Sequence, residues 1–273
     1  MIYDCFAFFN ELDLLEIRLN ELDKVVDKFV LIEATRTFQK QPKPLYFEEN
    51  KERFASFLPK IIHIKLDHFP NFFYKFRVPR PWDYDNYQKD QIAKALVNCS
   101  PDDIIIYSDL DEIPNAKKII EYKHKPGFKV FQMKHFYYYL NGLEVEKDSL
   151  DKPVYWNGSV MCFYKDFSSV KKLRMQRDIK KYPKNILIED GGWHFAYLGG
   201  VEKIIQKISS YAHTEHNTAE FKNQQRILER INQGKGLYDD SISINYLKKI
   251  DDTYPDYLVK NQLKFSHLIK NER

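Results

Sequence analysis

Four short apolar runs separated by stretches of helical spacing constrain this chain most. They are IYDCFAF at Ile2–Phe8, FVLIEA at Phe29–Ala34, KIIHIKL at Lys60–Leu66 and IIIYS at residues 104–108. Each has the length of a strand, and FVLIEA is continuous enough to be covered on both faces. Between the first two runs, NELDLLEIRLNELDKVVDK puts Leu15, Leu19 and Leu22 at helical spacing behind Asn10, a suitable N-cap. A short helix is predicted around Asn50–Phe57 and another over YQKDQIAKALVNC, residues 87–99. Strand and helix in alternation imply a parallel sheet with right-handed crossovers, an α/β fold. Ligands of such sheets sit beyond the carboxyl ends of the strands, where Glu33, Asp67, Asp109 and Asp111 all fall.

Between the third run and the fourth lies a long aromatic segment, Asp67–Tyr87, containing Pro70, Pro79 and Pro81. It reads as a loop, and loops of that length are commonly functional. The middle, residues 129–164, reads as further strands. A basic stretch, VKKLRMQRDIKKYPK, then leads to a short strand NILIE and to DGGWHFAYLGG. Helices are predicted over Val201–Tyr211 and Asn217–Asn232, with a fragmentary tail after Tyr238. No internal repeat or linker is visible.

Basic and acidic residues, 43 and 39, nearly cancel to a net charge of +4, too mild for a dedicated nucleic-acid binder. Cys5, Cys99 and Cys162 lie far apart and form no CxxC pair, so reduced thiols are expected rather than a disulfide framework or structural zinc. No apolar run reaches the ~18–20 residues of a transmembrane helix. The start, MIYDCFAFF, lacks a basic region and carries Asp4 within its apolar run, unlike a signal peptide.

The fourth run ends in acids: DDIIIYSDLDEIP, residues 102–114. In an extended segment Asp109 and Asp111 point the same way and Leu110 the opposite way. Two converging carboxylates at a strand tip make a hard-oxygen site for Mg²⁺ or Mn²⁺, although D-x-D at a strand end also serves as a solvated turn or helix cap. A cation held there suits a nucleoside diphosphate leaving group, whose charge it neutralises. The rival D-x-D chemistry, phosphoryl transfer through an aspartyl nucleophile, usually closes a first strand and is followed by small residues. Here the motif closes about the fourth strand and is followed by Glu112-Ile113-Pro114.

The opening YDCFAFFNELDLLEIRLNELDKVVDKFVLIEATRTFQKQPKPLYF, the helix YQKDQIAKAL, the strand DDIIIYSDLDEIP, and GGWHFAYLGG with KISSYAHTEHN together resemble glycosyltransferase family 17. The blocks recur in order from Tyr3 to about Tyr238. This is the family of the β-1,4-mannosyl-glycoprotein β-1,4-N-acetylglucosaminyltransferases. The resemblance implies a GT-A fold, a UDP-sugar donor (typically UDP-GlcNAc), a glycan acceptor, a divalent cation and inversion at the anomeric carbon. It implies one catalytic domain over residues 1–273. Within it, residues 1–115 are expected to form the nucleotide-sugar half, 116–215 the acceptor side and 216–273 a helical C-terminal extension. Eukaryotic members carry an N-terminal anchor for the Golgi lumen. None is visible here, and a cytoplasmic setting with a different acceptor is expected.

On this resemblance Asp109 and Asp111 match the family's D-x-D, and Glu33, Thr35 and Thr37 its E-x-x-x-T-F block. Gln88, Lys89 and Asp90 stand where the family usually has Gln-Arg-Asn, and Lys for Arg keeps the charge but loses the fork geometry. His194 in GGWHF is the expected third metal ligand, with His213 as its rival. Asp190, then Glu189, are the candidate bases for the acceptor hydroxyl, although Asp before Gly also favours a turn. Arg174, Arg177 and Lys180 are candidate pyrophosphate partners. Of the aromatics, which include Phe72, Phe73, Tyr74 and Tyr137–Tyr139, Trp82 and Trp156 are those expected to touch an acceptor. Two other classes stay open. A sugar-nucleotide nucleotidyltransferase would carry a Gly-rich basic loop after the first strand, where this chain has FFNELD. A non-catalytic carbohydrate-binding module would need neither UDP nor cation.

Overall fold

The computed structural model describes residues 1–70, 77–145 and 154–271. The elements in chain order are β1 (Ile2–Ala7), α1 (Leu12–Leu22), β2 (Lys28–Ala34), α2 (Tyr46–Asn50), β3 (Ile61–Leu66), α3 (Pro81–Asp90), β4 (Ile104–Tyr107) and β5 (Glu112–Pro114). Then follow α4 (Ala116–Tyr122), β6 (Lys129–Tyr137), β7 (Gly142–Glu144), β8 (Trp156–Phe163), α5 (Val170–Met175), β9 (Ile186–Ala196), α6 (Gly200–Ile208), α7 (Gln224–Gln233), β10 (Ile244–Tyr246) and α8 (Asp256–Lys260).

The expected α/β class holds: one mixed sheet of order β10-β7-β6-β8-β4-β1-β2-β3 is flanked by helices. The four apolar runs are its parallel part, β4-β1-β2-β3. Beyond β4 the sheet turns antiparallel through β8, which separates β4 from β6. On its other edge β6 runs parallel to β9, and β9 pairs antiparallel with β5.

The run FVLIEA is continuous because both sheet faces are covered. Phe29 and Leu31 pack with Leu15, Leu19 and Leu22 of α1. Val30 and Ile32 point the other way, into a core with Ile92, Leu96, Val170 and Leu173. The period of two in the strands thus assigns alternate residues to two separate cores.

Several local expectations change. Much of the aromatic segment is not loop: α3 starts at Pro81, which a first helical turn tolerates because its missing N–H would have no partner there. Phe72, Phe73 and Tyr74 lie outside the described residues. The helix around Asn50–Phe57 is α2 followed by a 3-10 stretch, Lys51–Lys60. Asn10 does not cap α1, since Glu11 occupies that place and the Asn10 amide bonds Gln206. NILIE and the residues after it form one long strand, β9. It passes close to β5 at Gly192, where φ is +148° and a Cβ would lie 2.2 Å from the Ile113 carbonyl oxygen. The tail contributes β10 to the sheet edge besides its helices. Among the described residues no helix is long and apolar enough to cross a membrane.

Candidate active site

The strand before the acids ends at Tyr107, so Asp109 and Asp111 are not in an extended segment. Leu110 and Asp111 form a turn, closed by the Glu112 N–H donating to the Asp109 carbonyl at 3.0 Å. Leu110 is buried in the core against α1. The two carboxylates nevertheless reach the same place, a cavity of about 340 Å³ beyond the ends of β1 and β4. A turn, rather than a strand face, brings them there.

Cations surround both acids. Lys89 of α3 lies 2.9 Å from Asp109 and 3.0 Å from Asp85, bridging two carboxylates as a point charge. Arg174 of α5 donates to the other Asp109 oxygen at 3.0 Å. Burial works to raise the Asp109 pKa, but Lys89, Arg174 and Arg177 outweigh it and hold the carboxyl well below its ordinary range. Asp111 accepts from Lys207 of α6 at 2.8 Å and has His194 Nε2 at 3.8 Å. Its pKa is likewise lowered: burial is overcome by Lys207 and His194. Burial also opposes the charge of Lys207, yet Asp111 and Glu11 keep its pKa above the ordinary lysine range. Both acids are therefore ionised at neutral pH.

Glu112, the third acid, is buried beneath them. It accepts from Trp156 Nε1 at 2.6 Å, from Arg177 at 3.1 Å and from the Asp109 N–H at 3.0 Å. Arg177 thus reaches the site through Glu112 and lies over the Trp156 ring. His135 and His194, opposite each other on β6 and β9, stack with centroids 4.4 Å apart and planes 2° apart. His135 Nδ1 pairs with Glu144 of β7, while burial, with His194 beside it, keeps its pKa below the ordinary histidine value.

Of the residues singled out in the sequence, the cavity brings together Asp109, Asp111, Gln88, Lys89, Arg174, His194, His213, Thr37, Tyr137, Trp82 and Trp156. It does not bring Asp190 and Glu189. Both are exposed on β9, and Asp190 lines a different hollow with Lys134, Asp252 and Thr253. Three residues, Gly191 to Trp193, separate Asp190 from His194 along β9. The register of β9 against β6 shifts there, between Phe131 and Met133, and Asp190 has a φ of +49°, so the strand does not keep the two side chains on one face. Glu33 does not line the cavity: it is buried, accepts from the Phe47 N–H at 3.0 Å and so anchors α2. Thr35 is tied to Leu66 across β3. Lys180 is exposed, outside the cavity. Tyr138 is buried and donates to the Lys235 carbonyl.

His213 sits at the rim, edge-on to Trp82 with ring centroids 4.5 Å apart. With Glu215 and His216 it forms a group whose ligand atoms lie within 4.8 Å of one another. For the Asp109–Asp111 pair, the closer imidazole is His194. Among the described residues its Nδ1 is buried without a hydrogen-bond partner. Two carboxylates and an imidazole are chemically suited to Mn²⁺, but among the described residues it is the His213 group, and not Asp109, Asp111 and His194, that brings three such ligand atoms within 4.8 Å of one another.

The structure adds Lys207, Asp85, Glu11, His135 and Arg18, which the sequence reading passed over. Arg18 carried a legible signal, a charge set among the leucines of the buried face of α1. Lys207 and His135 carried none, since strands and helices far apart in the chain bring them to the cavity.

The family model for glycosyltransferase family 17 matches residues 1–271. The human beta-1,4-mannosyl-glycoprotein 4-beta-N-acetylglucosaminyltransferase is 34% identical over 125 residues, 44% of this chain and 23% of that protein. The rat protein of the same name is 34% identical over 125 residues, covering 44% of this chain and 22% of its own length. The chain thus matches less than a quarter of these relatives. Among solved structures, an inositol-1-phosphate CTP transferase from T. maritima superposes at a TM-score of 0.36 with 10% identity, over 69% of this chain and 84% of that one. A superposition that loose says nothing about activity. The family match spans the sheet, the carboxylate turn and the helices that supply the surrounding cations, and the chain therefore belongs to glycosyltransferase family 17.

Proposed function

We propose that this protein transfers a sugar, GlcNAc by analogy with the relatives' names, from a UDP-sugar to a hydroxyl of a glycan acceptor, with inversion. The observation that carries this reading is the ionised Asp109–Asp111 pair ringed by Lys89, Arg174 and Lys207 in one cavity. In such a transfer the acceptor oxygen bonds to the anomeric carbon as the bond from that carbon to the diphosphate oxygen breaks. Negative charge then grows on the diphosphate, and Lys89, Arg174 and Lys207 stand ready to meet it without reorganising.

Asp109, Asp111 and His194 would hold a divalent cation, Mn²⁺ or Mg²⁺, which supplies further neutralisation of the diphosphate when bound. The base must come from groups lining the cleft, and Glu11, Asp85 and His135 replace Asp190 and Glu189 in that capacity. Trp156 and Trp82 offer ring faces to a sugar, Trp156 fixed by its bond to Glu112 and Trp82 exposed at the rim.

The test is a panel of UDP-sugars with Mn²⁺, read by thermal shift and by UDP release. One sugar nucleotide should stabilise the protein, and the Asp109→Ala/Asp111→Ala variant should lose turnover. Near wild-type turnover in that double variant would sink the reading. Carbohydrate binding indifferent to UDP and Mn²⁺ would favour a non-catalytic module instead.

A further inference from the structure

We infer that Arg18 is a positioning residue for this site: its buried guanidinium holds the turn that carries Asp109 and Asp111. The inference rests on the reading of those two acids as the diphosphate site.

Arg18 is fully buried on the sheet-facing side of α1. Its fork makes six hydrogen bonds. Nε and Nη2 donate to the two oxygens of Asp4 at 2.8 and 2.6 Å, and Nη2 donates also to Ser108 Oγ at 2.7 Å. Nη1 donates to the carbonyl oxygens of Asp109, Leu110 and Glu112, at 3.1, 3.2 and 2.8 Å. Phe6 packs under the guanidinium, 4.5 Å from it. Asp4 sits mid-sheet on β1, between Phe29 of β2 and Ile106 of β4.

A buried ion pair by itself is weak grounds for stability, since apolar residues of similar volume often serve as well. What distinguishes this one is its target. Three carbonyls of a single turn point inward at one nitrogen, and the acidic side chains Asp109, Asp111 and Glu112 of that turn line the cavity. Ser108 adds to the hold, its hydroxyl donating to the Glu112 carbonyl at 2.9 Å. Buried carbonyls need donors: those of Asp109 and Glu112 also accept from the Glu112 N–H and from the Ser108 and Ser159 hydroxyls, and the fork is the donor that all three share. A lysine carries the charge but presents its protons from one point and cannot serve both Asp4 and three carbonyls. Arg18 does not itself line the cavity, so its effect passes through the turn.

The test compares four variants of the full chain by calorimetric titration with Mn²⁺ alone and with UDP in the presence of Mn²⁺, alongside thermal melting. Arg18→Lys should weaken both bindings at least tenfold. Ser108→Ala, which leaves the ion pair intact, should weaken them about threefold with little change in Tm. Leu19→Ala, on the same helix in the core with Phe29 and Leu31 and making none of the fork's hydrogen bonds, should lower Tm by several degrees and bind as the wild type does. If Arg18→Lys fails to fold, Ser108→Ala against Leu19→Ala decides. Binding within twofold of wild type in Arg18→Lys and Ser108→Ala overturns the inference, as does affinity falling in step with Tm in Leu19→Ala. Asp111→Asn separates the two levels. Wild-type binding there overturns the diphosphate reading itself, whereas lost binding there with unchanged Arg18→Lys and Ser108→Ala overturns only the role of Arg18.

Discussion

The ammonium of Lys207 lies 2.8 Å from Oδ2 of Asp111, on the carboxylate that His194 approaches to 3.8 Å. The pair joins α6 to the turn after β4, elements nearly a hundred residues apart in the chain. It also puts a fixed positive charge beside the acids to which a leaving diphosphate would be drawn. Lys207→Met should therefore retain the fold by circular dichroism while kcat for UDP release falls by about 10²-fold, the usual scale for removing one preorganised charge partner. A kcat within threefold of wild type would count against this role.

Asp190 and Glu189 were the sequence's choice of base, and the structure sets them outside the cleft. Asp190→Asn and Glu189→Gln should each leave turnover within about twofold, as distant surface substitutions usually do. Steady-state kinetics of the two variants at saturating donor is the check, and a hundredfold loss in either would return the base to β9.

Gly192 is required by geometry rather than by chemistry. Its φ of +148° and the 2.2 Å approach of a would-be Cβ to the Ile113 carbonyl leave no room for a side chain. Gly192→Ala should cost at least ~2 kcal/mol, because backbone must move to relieve the clash. A shifted midpoint with unchanged slope in urea denaturation would show the loss.

Glu16 ties α1 to the 3-10 stretch and to the C-terminal tail. It accepts from Arg53 at 2.6 Å and Tyr257 at 2.6 Å, and pairs with Lys264. Burial pushes its pKa up, but the hydrogen bonds from Lys264, Tyr257 and Arg53 outweigh it and leave the carboxyl below the ordinary glutamate range. A carboxyl with a folded pKa below its unfolded one stabilises fully above the unfolded value, and loses that stability as pH falls through the folded one. Glu16→Gln should thus lower stability by roughly 1–3 kcal/mol at pH 7, with the gap to wild type narrowing below about pH 4.3, the usual glutamate value. Melting curves at pH 7, 5 and 3 test the sign: a gap that widens towards acid would contradict it.

The parallel half of the sheet was legible because its cause is local. FVLIEA and IIIYS are apolar on both faces, and only strands buried on both faces need that, while KIIHIKL, at the sheet edge, puts His63 and Lys65 on one face and Ile62, Ile64 and Leu66 on the other. The Asp109–Asp111 pair was legible for a related reason, since carboxylates set directly after such a run must be accounted for. What the sequence alone determined, then, was the α/β class, the strand that ends at the site, and the family. The tertiary structure decided the rest. It decided that the acids sit on a turn, because Arg18 of α1 draws three carbonyls inward and no spacing rule reports a contact 91 residues away. It decided that His194, and not Asp190 on the same strand, faces the cleft, because the pairing of β9 with β5 and β6 sets which residues point where. And it decided which cations meet the acids, because Lys89, Arg174 and Lys207 come from three helices that only the closed sheet brings together.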